Sequence, residues 1–288
     1  AFVTAQFGFV MHDAVHDAVF KGKKRNMLLS FFTGGTMMQV SASSWGSKHN
    51  QHHSAPNRVG EDPDIEMPIL AFTKEQALEK RGIAKLVVRY QAYAWLFIML
   101  LPGFSMRLGS GKTLLENLFR KRTNDYLVEV FFVAAGYVLY FGTIFYFFDG
   151  LKAWMFILVN YLFAGLYGGT TFATNHKAMP ILVEKLDFLR SQVLTTRNVR
   201  GSWLTNLWLG GLNYQIEHHL FPTMPRNNFS KAQKIVKPFC REAGIEYYET
   251  GFFQSYREIL QHLHSVSSVL RKPKAASLPK VAKVNMPA

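Results

Sequence analysis

The 288 residues carry 33 lysines and arginines against 19 aspartates and glutamates, a formal net charge of +14, and 49% of them are hydrophobic. That charge invites a nucleic-acid partner, but the basic residues flank long apolar runs instead of forming a stripe with interleaved aromatics, which excludes one. The single cysteine, Cys240, rules out an internal disulfide and thiolate iron–sulfur sites, and suits a reducing compartment.

Residues 1–11 read as the last half of a membrane helix that runs straight into His12. Because the chain does not begin with methionine, at least a hairpin's worth of preceding sequence is expected to be missing. His12 and His16 stand at i, i+4. After a basic patch at 21–25, residues 27–45 are rich in Ser, Thr and Gly and are expected to be re-entrant or amphipathic. His49, His52 and His53 follow, and Asp62 and Asp64 just beyond them suit either holding a ligand loop or capping a turn. Residues 86–106 contain Arg89, Gln91 and Pro102, so they should lie in the interface or dip in and return.

The run 126–148 has Glu129 as its only charge, and at 1.5 Å per residue it covers roughly 34 Å, enough for a hydrocarbon core of ~30 Å. Residues 154–174 carry no charge, and the short link between the two runs predicts an antiparallel transmembrane hairpin; the competing reading is a buried soluble one. Lys and Arg gather at 21–25, 107–122 and 177–200, which places those segments in the cytosol and the turn at Asp149 in the lumen. Gln215, His218 and His219 form the third cluster. An even number of crossings between His53 and Gln215 lets all three clusters meet on one face. Residues 227–270 mix charge with apolar residues and predict cytosolic helices. The stretch 271–288, with five basic residues and three prolines, predicts a disordered tail that either serves solubility or is attracted to anionic lipid.

Three clusters plus His176 make eight imidazoles on helix-compatible spacings, so each cluster presents its rings on one face. Neutral nitrogen donors suit zinc, copper or iron. A hydrolytic zinc site uses about three ligands and an open position, so eight donors point to two metals and redox chemistry. Asp13, Asp17, Asp62 and Glu217 lie beside the clusters, where they can orient imidazole N–H groups.

His12-x-x-x-His16, His49-x-x-His52-His53 and Gln215-x-x-His218-His219, with Thr196-Arg197-Asn198, the run from Trp208 to Tyr214 and the run from Gln215 to Arg226, resemble the membrane fatty-acid desaturases over about residues 1–260. The glutamine opening the third box resembles the front-end group. The resemblance implies an all-α membrane protein whose transmembrane helical hairpins carry a cytosolic histidine-rich di-iron cap, with residues 1–270 as the catalytic domain, in the endoplasmic reticulum membrane. It implies His12, His16, His49, His52, His53, His176, His218 and His219 as iron ligands. Gln215 takes a ligand position but is a poor iron donor, acting through a water or only shaping the site. It further implies molecular oxygen as co-substrate, electrons from cytochrome b5 and its NADH reductase, and a polyunsaturated acyl-CoA or phospholipid chain as substrate, with delta-5 or delta-6 insertion foremost. A sphingolipid long-chain-base desaturase or hydroxylase shares the box pattern. From another class, a zinc-dependent membrane hydrolase or a metal-binding receptor remains.

The acyl chain needs an apolar tunnel, for which Gly34, Gly35, Ser41, Ser43, Gly165, Gly168 and Gly169 offer room, the alternative being close helix packing. His262 and His264 read as surface histidines. Trp45, Trp95, Trp154 and Trp203 read as interfacial anchors or packing. Arg197 and Arg200 suit either contact with a headgroup or electron donor, or the positive-inside bias.

Overall fold

A computed structural model describes residues 1–120 and 123–271; apart from Arg271, the expected tail lies outside the described residues. Helix α1 (Phe2–Val15) ends at His16, where Asp17 turns the chain in the left-handed region, φ 57°. Helix α2 (Lys23–Ser30) runs into a π-helical segment, Phe31–Met37, and α3 (Ala42–Ser54) carries the second histidine cluster. Then come α4 (Lys74–Glu79), α5 (Gly82–Arg89), α6 (Gln91–Ile98) and α7 (Pro102–Leu118). Helices α6 and α7 meet at 66°, and Pro102 opens α7, where its missing N–H would have been unpaired anyway. The expected dip at 86–106 is thus a sharply bent helix pair.

Helices α8 (Asn124–Phe147) and α9 (Gly150–His176) contain 24 and 27 residues, roughly 36 and 40 Å at 1.5 Å per residue. Both are long and apolar enough to cross a membrane, and the bent pair raises the number of spans to as many as three among the described residues. Asp149 separates them as expected, but α9 extends past Thr174 and carries His176 on its last turn. The remainder is short helices: α10 (Phe188–Leu194), α11 (Trp203–Leu209), α12 (Gln215–Leu220), α13 (Phe229–Glu242) and α14 (Phe252–Ser267). Strands β1 (Asn198–Arg200) and β2 (Glu249–Gly251) pair in parallel. Three residues per strand are too few to leave a period-two pattern, so sequence reading did not anticipate this sheet.

Three charged residues inside the helical layer have identifiable partners. The carboxylate of Glu129, the one charge of the apolar run, accepts from Ser41 Oγ at 2.9 Å, from the Ser43 amide at 2.8 Å and from Ser43 Oγ. A negative charge at the N-terminus of α3 complements the helix dipole and ties α3 to α8. Arg107, read from sequence as part of a basic flank, is instead buried, with its guanidinium 3.9 Å from the Tyr161 ring and donating to the Gly103 carbonyl. Arg197 is also buried: it donates to the carbonyls of Thr174 and Ser255 and to Glu258, at 2.6, 3.2 and 2.7 Å. A guanidinium without exposure makes no contact with a headgroup or redox partner, so that expected role does not hold for Arg197.

Most of the small residues assigned to a tunnel do other work. A Cβ on Gly35 would meet the Phe132 backbone at 3.0 Å, and one on Gly165 would lie 2.4 Å from the Leu100 carbonyl. Gly34 packs on Met11, Gly169 on Met99, and Ser41 and Ser43 bind Glu129. Only Gly168 has open space around it. These residues let helix backbones approach, because close contact is what stabilises helix pairs in lipid. Trp95 is buried with Ile259 and Leu263, fastening α14 to α6, whereas Trp154 and Trp203 are exposed.

A Cβ on Gly103 would sit 1.9 Å from the Tyr161 carbonyl, whereas one on Gly142 meets nothing within 4 Å. Gly103→Val is therefore expected to destabilise the α7–α9 contact by about 3 kcal/mol, and Gly142→Ala to leave stability unchanged or slightly raised. Thermal unfolding in detergent checks both, and equal melting temperatures for the two variants would contradict this packing.

Candidate metal centre

Eight imidazoles converge in two groups. His12, His16, His49, His53 and His218 place ligand atoms within 4.8 Å of one another, and His52, His176 and His219 do the same. Helix geometry decides the division. On α3, His49 and His53 are four residues apart and differ by about 40° in direction, while His52, about 100° from His53, turns to the second group. Adjacent His218 and His219 on α12 also diverge by about 100° and serve one group each. The two groups touch where the His53 and His219 rings stack at 4.1 Å.

Within the first group, Nε2 atoms follow one another from His16 to His49 at 2.9 Å, then to His53, His218 and His12 at 3.1 Å each. In the second, His176 Nε2 lies 3.3 Å from that of His52 and 3.1 Å from that of His219. Oxygen acceptors behind three of the rings set their tautomers. Asp13 accepts from His12 Nδ1 at 3.2 Å, Asp62 from His52 Nδ1 at 2.9 Å, and Gln192 from His219 Nδ1 at 2.8 Å. With Nδ1 carrying the proton, Nε2 of a neutral ring is a bare lone pair. The lone pairs of His52 and His219 both point at His176, which has at most one proton to offer. Burial, then the mutual repulsion of neighbouring imidazoles, holds His49, His53, His218 and His219 well below the usual histidine range, and burial takes His16 down to about 3. Uncharged, buried nitrogen donors at this spacing fit divalent cations of the zinc, copper and iron class.

Of the four flanking carboxylates, two hold rings. Asp62 is fully buried and also accepts from the amides of Asn57 and Asp64, at 2.7 and 2.8 Å, so it shapes the loop after α3 as well as holding His52. Asp13 is bound by Arg226, which also reaches the Phe9 and Gly210 carbonyls. Asp17 turns outward at the exposed end of α1 and touches no imidazole. Glu217 faces away from the rings and accepts from Tyr247 Oη at 2.6 Å and Asn198 Nδ2 at 2.7 Å; burial raises its pKa.

Gln215 reaches the second group through its amide. Asn175 Nδ2 donates to the Leu212 carbonyl at 2.9 Å and to Gln215 Oε1 at 3.0 Å, so Gln215 turns its NH2 toward His176 Nε2, 2.9 Å away. As oriented, it offers hydrogens and not a lone pair. His262 is half-buried and bound to the Phe72 carbonyl at 3.0 Å, not the surface residue expected, while His264 is exposed. Trp45 lies flat on His49 at 4.4 Å, a packing role consistent with its i, i+4 spacing from that residue. Gln192 and Asn57 were not singled out from sequence. Asn57 donates to the carbonyl of His176 at 3.0 Å, but neither residue belongs to a histidine cluster that would mark it.

A profile of the fatty acid desaturase family matches residues 1–251. The chain belongs to that family. It is 30% identical over 283 residues to an acyl-lipid (9-3)-desaturase of Physcomitrium patens, covering 94% of this chain and 53% of that protein. It is 32% identical over 279 residues to a delta(6)-fatty-acid desaturase of Caenorhabditis elegans, covering 91% and 62%, and 29% identical over 252 residues to a delta(8)-fatty-acid desaturase of Euglena gracilis, covering 84% and 60%. The chain spans little more than half the length of these curated relatives. As in that family, the histidine clusters accompany apolar helices long enough for a membrane.

Along α9 of this desaturase-family chain lies an apolar cavity of about 720 Å³, lined by Phe2, Met155, Val159, Phe163, Tyr167 and Trp208 among others. Its lining includes Thr170, six residues before His176 and roughly 9 Å from it along the helix.

The lowered imidazole values predict how metal-free protein responds to pH. The unfolded chain, with histidines near 6.5, binds more protons than the folded one whenever the pH is below that value and above the folded values, about 3 for His16. The stability contributed by keeping the rings neutral is complete above about pH 6.5 and is lost as pH falls from there. Metal-free protein should melt progressively lower between about pH 7 and pH 5, and a melting temperature that is flat or rising on acidification would contradict neutral packing.

Proposed function

We propose that this chain is the catalytic part of a front-end fatty-acid desaturase, residues 1–270 forming its catalytic domain. The observation that carries the reading is the convergence of eight imidazoles, seven of them buried and His53 half-buried, from three boxes and His176 into two adjoining groups. His12, His16, His49, His53 and His218 would hold one iron, and His52, His176 and His219 the other. When bound, the pair supplies the oxidising power that removes two hydrogens from neighbouring methylenes, using dioxygen and electrons from cytochrome b5, and leaves a cis double bond and water.

The protein's own work is positional. A saturated methylene has no polar handle, so its recognition rests on shape and apolar contact along the chain. The cavity beside α9 falls within the 300–1,000 Å³ or so typical of ligand sites, and it is lined by aromatic and branched residues instead of the glycines that sequence suggested. We assign the acyl chain to it, entering sideways from the bilayer. Asp13 and Asp62 keep His12 and His52 in the tautomer that aims Nε2 inward. Gln215 offers N–H to whatever shares the second group, so it acts as a hydrogen-bond donor and not as a ligand. The histidine end of α9 faces the cytosol in this reading, in the endoplasmic reticulum membrane, with the exposed Lys21, Lys23, Lys24 and Arg25 following His16 closely in the chain.

Yeast expressing the protein and fed a panel of polyunsaturated acids should gain a double bond on the carboxyl side of an existing one, located by mass spectrometry of the extracted lipids. His219→Ala should abolish that product with membrane insertion intact. New unsaturation at the methyl side, or product retained by His219→Ala, would overturn the reading.

A further inference from the structure

Gln192 lies on α10, outside every histidine cluster, and is 2% exposed. Its Nε2 donates to the carbonyl of His53 at 2.9 Å, and its Oε1 accepts from His219 Nδ1 at 2.8 Å. The amide has one workable orientation, since reversing it would set its oxygen against the His53 carbonyl and its NH2 against an N–H. Thr196 Oγ1 donates to the Gln192 carbonyl at 2.6 Å, and Thr195 Oγ1 to that of Ser191 at 2.7 Å, so the helix end that presents this amide is itself held.

We propose that Gln192 is the positioning residue of His219 in the three-imidazole group: it locks that ring in the tautomer whose Nε2 lone pair faces His52 and His176, and ties it to α3, which supplies imidazoles to both groups. The proposal rests on the two-iron reading above. It matters more for this group than for its neighbour, because three imidazoles leave no donor to spare, whereas the five-imidazole group loses nothing when His219 swings. A neutral amide also orients the ring without adding a second negative charge to that of Asp62.

The test counts iron in the purified full chain, on the monodisperse fraction in detergent, before and after challenge with a ferrous chelator. Gln192→Met keeps the volume and removes the acceptor; Gln192→Glu keeps an oxygen for Nδ1–H and, protonated on its other oxygen, an O–H for the His53 carbonyl. Affinity for one of the two irons should fall about 10–100-fold in Gln192→Met, leaving one iron per chain after the challenge, while Gln192→Glu retains both. Two irons held equally well by Gln192→Met would overturn the proposal, and so would loss of iron from Gln192→Glu, even if Gln192→Met gives no folded protein. Wild-type protein without two irons would instead remove the two-iron reading itself, and this inference with it.

Discussion

Imidazole nitrogens about 3 Å apart either share a hydrogen or aim their lone pairs at a common positive centre, and the packing around these rings favours the second arrangement. Burial keeps the rings neutral, as the lowered values of His49, His53, His218 and His219 reflect. Oxygen acceptors at Asp13, Asp62 and Gln192 then choose the nitrogen that faces inward. Without them His12, His52 and His219 would be free to turn an N–H toward their neighbours and close the pocket with hydrogen bonds of their own.

The helical layer solves a second problem with the same economy, namely how to carry polar groups at membrane depth. Glu129 complements the N-terminus of the helix that bears His49, His52 and His53, so the one charge of the run 126–148 ties the second box to α8. Arg107 has no carboxylate partner among the described residues and is accommodated by the Tyr161 ring and backbone oxygen. Close backbone contacts at Gly35, Gly103 and Gly165 bring α7, α8, α9 and the π-helical segment together, so box-bearing and membrane-crossing elements form one framework.

The proposed division of labour follows from where each kind of residue stands. Charged and amide side chains cluster behind the imidazoles, and aromatic and branched ones line the groove beside α9. In this proposal, polar groups beside the histidines orient ligands, and the apolar groove receives a substrate that offers only shape.

Spacing along the chain was enough to mark all eight convergent histidines, the two long apolar helices and the turn at Asp149, because helical period, span length and ligand type are local properties of a sequence. What it left open was direction in space. Whether Asp13 or Asp17 backs an imidazole depends on one residue adopting a left-handed turn; whether Arg107 and Arg197 are surface charges or buried clamps depends on which helices close over them. The assignment of His52 to a different group from His49 and His53, and the orientation of Gln215 by Asn175, exist only once distant helices meet. Gln192 is the extreme case: nothing within its own segment distinguishes it, and its importance comes from two partners, His53 and His219, that are 139 and 27 residues away.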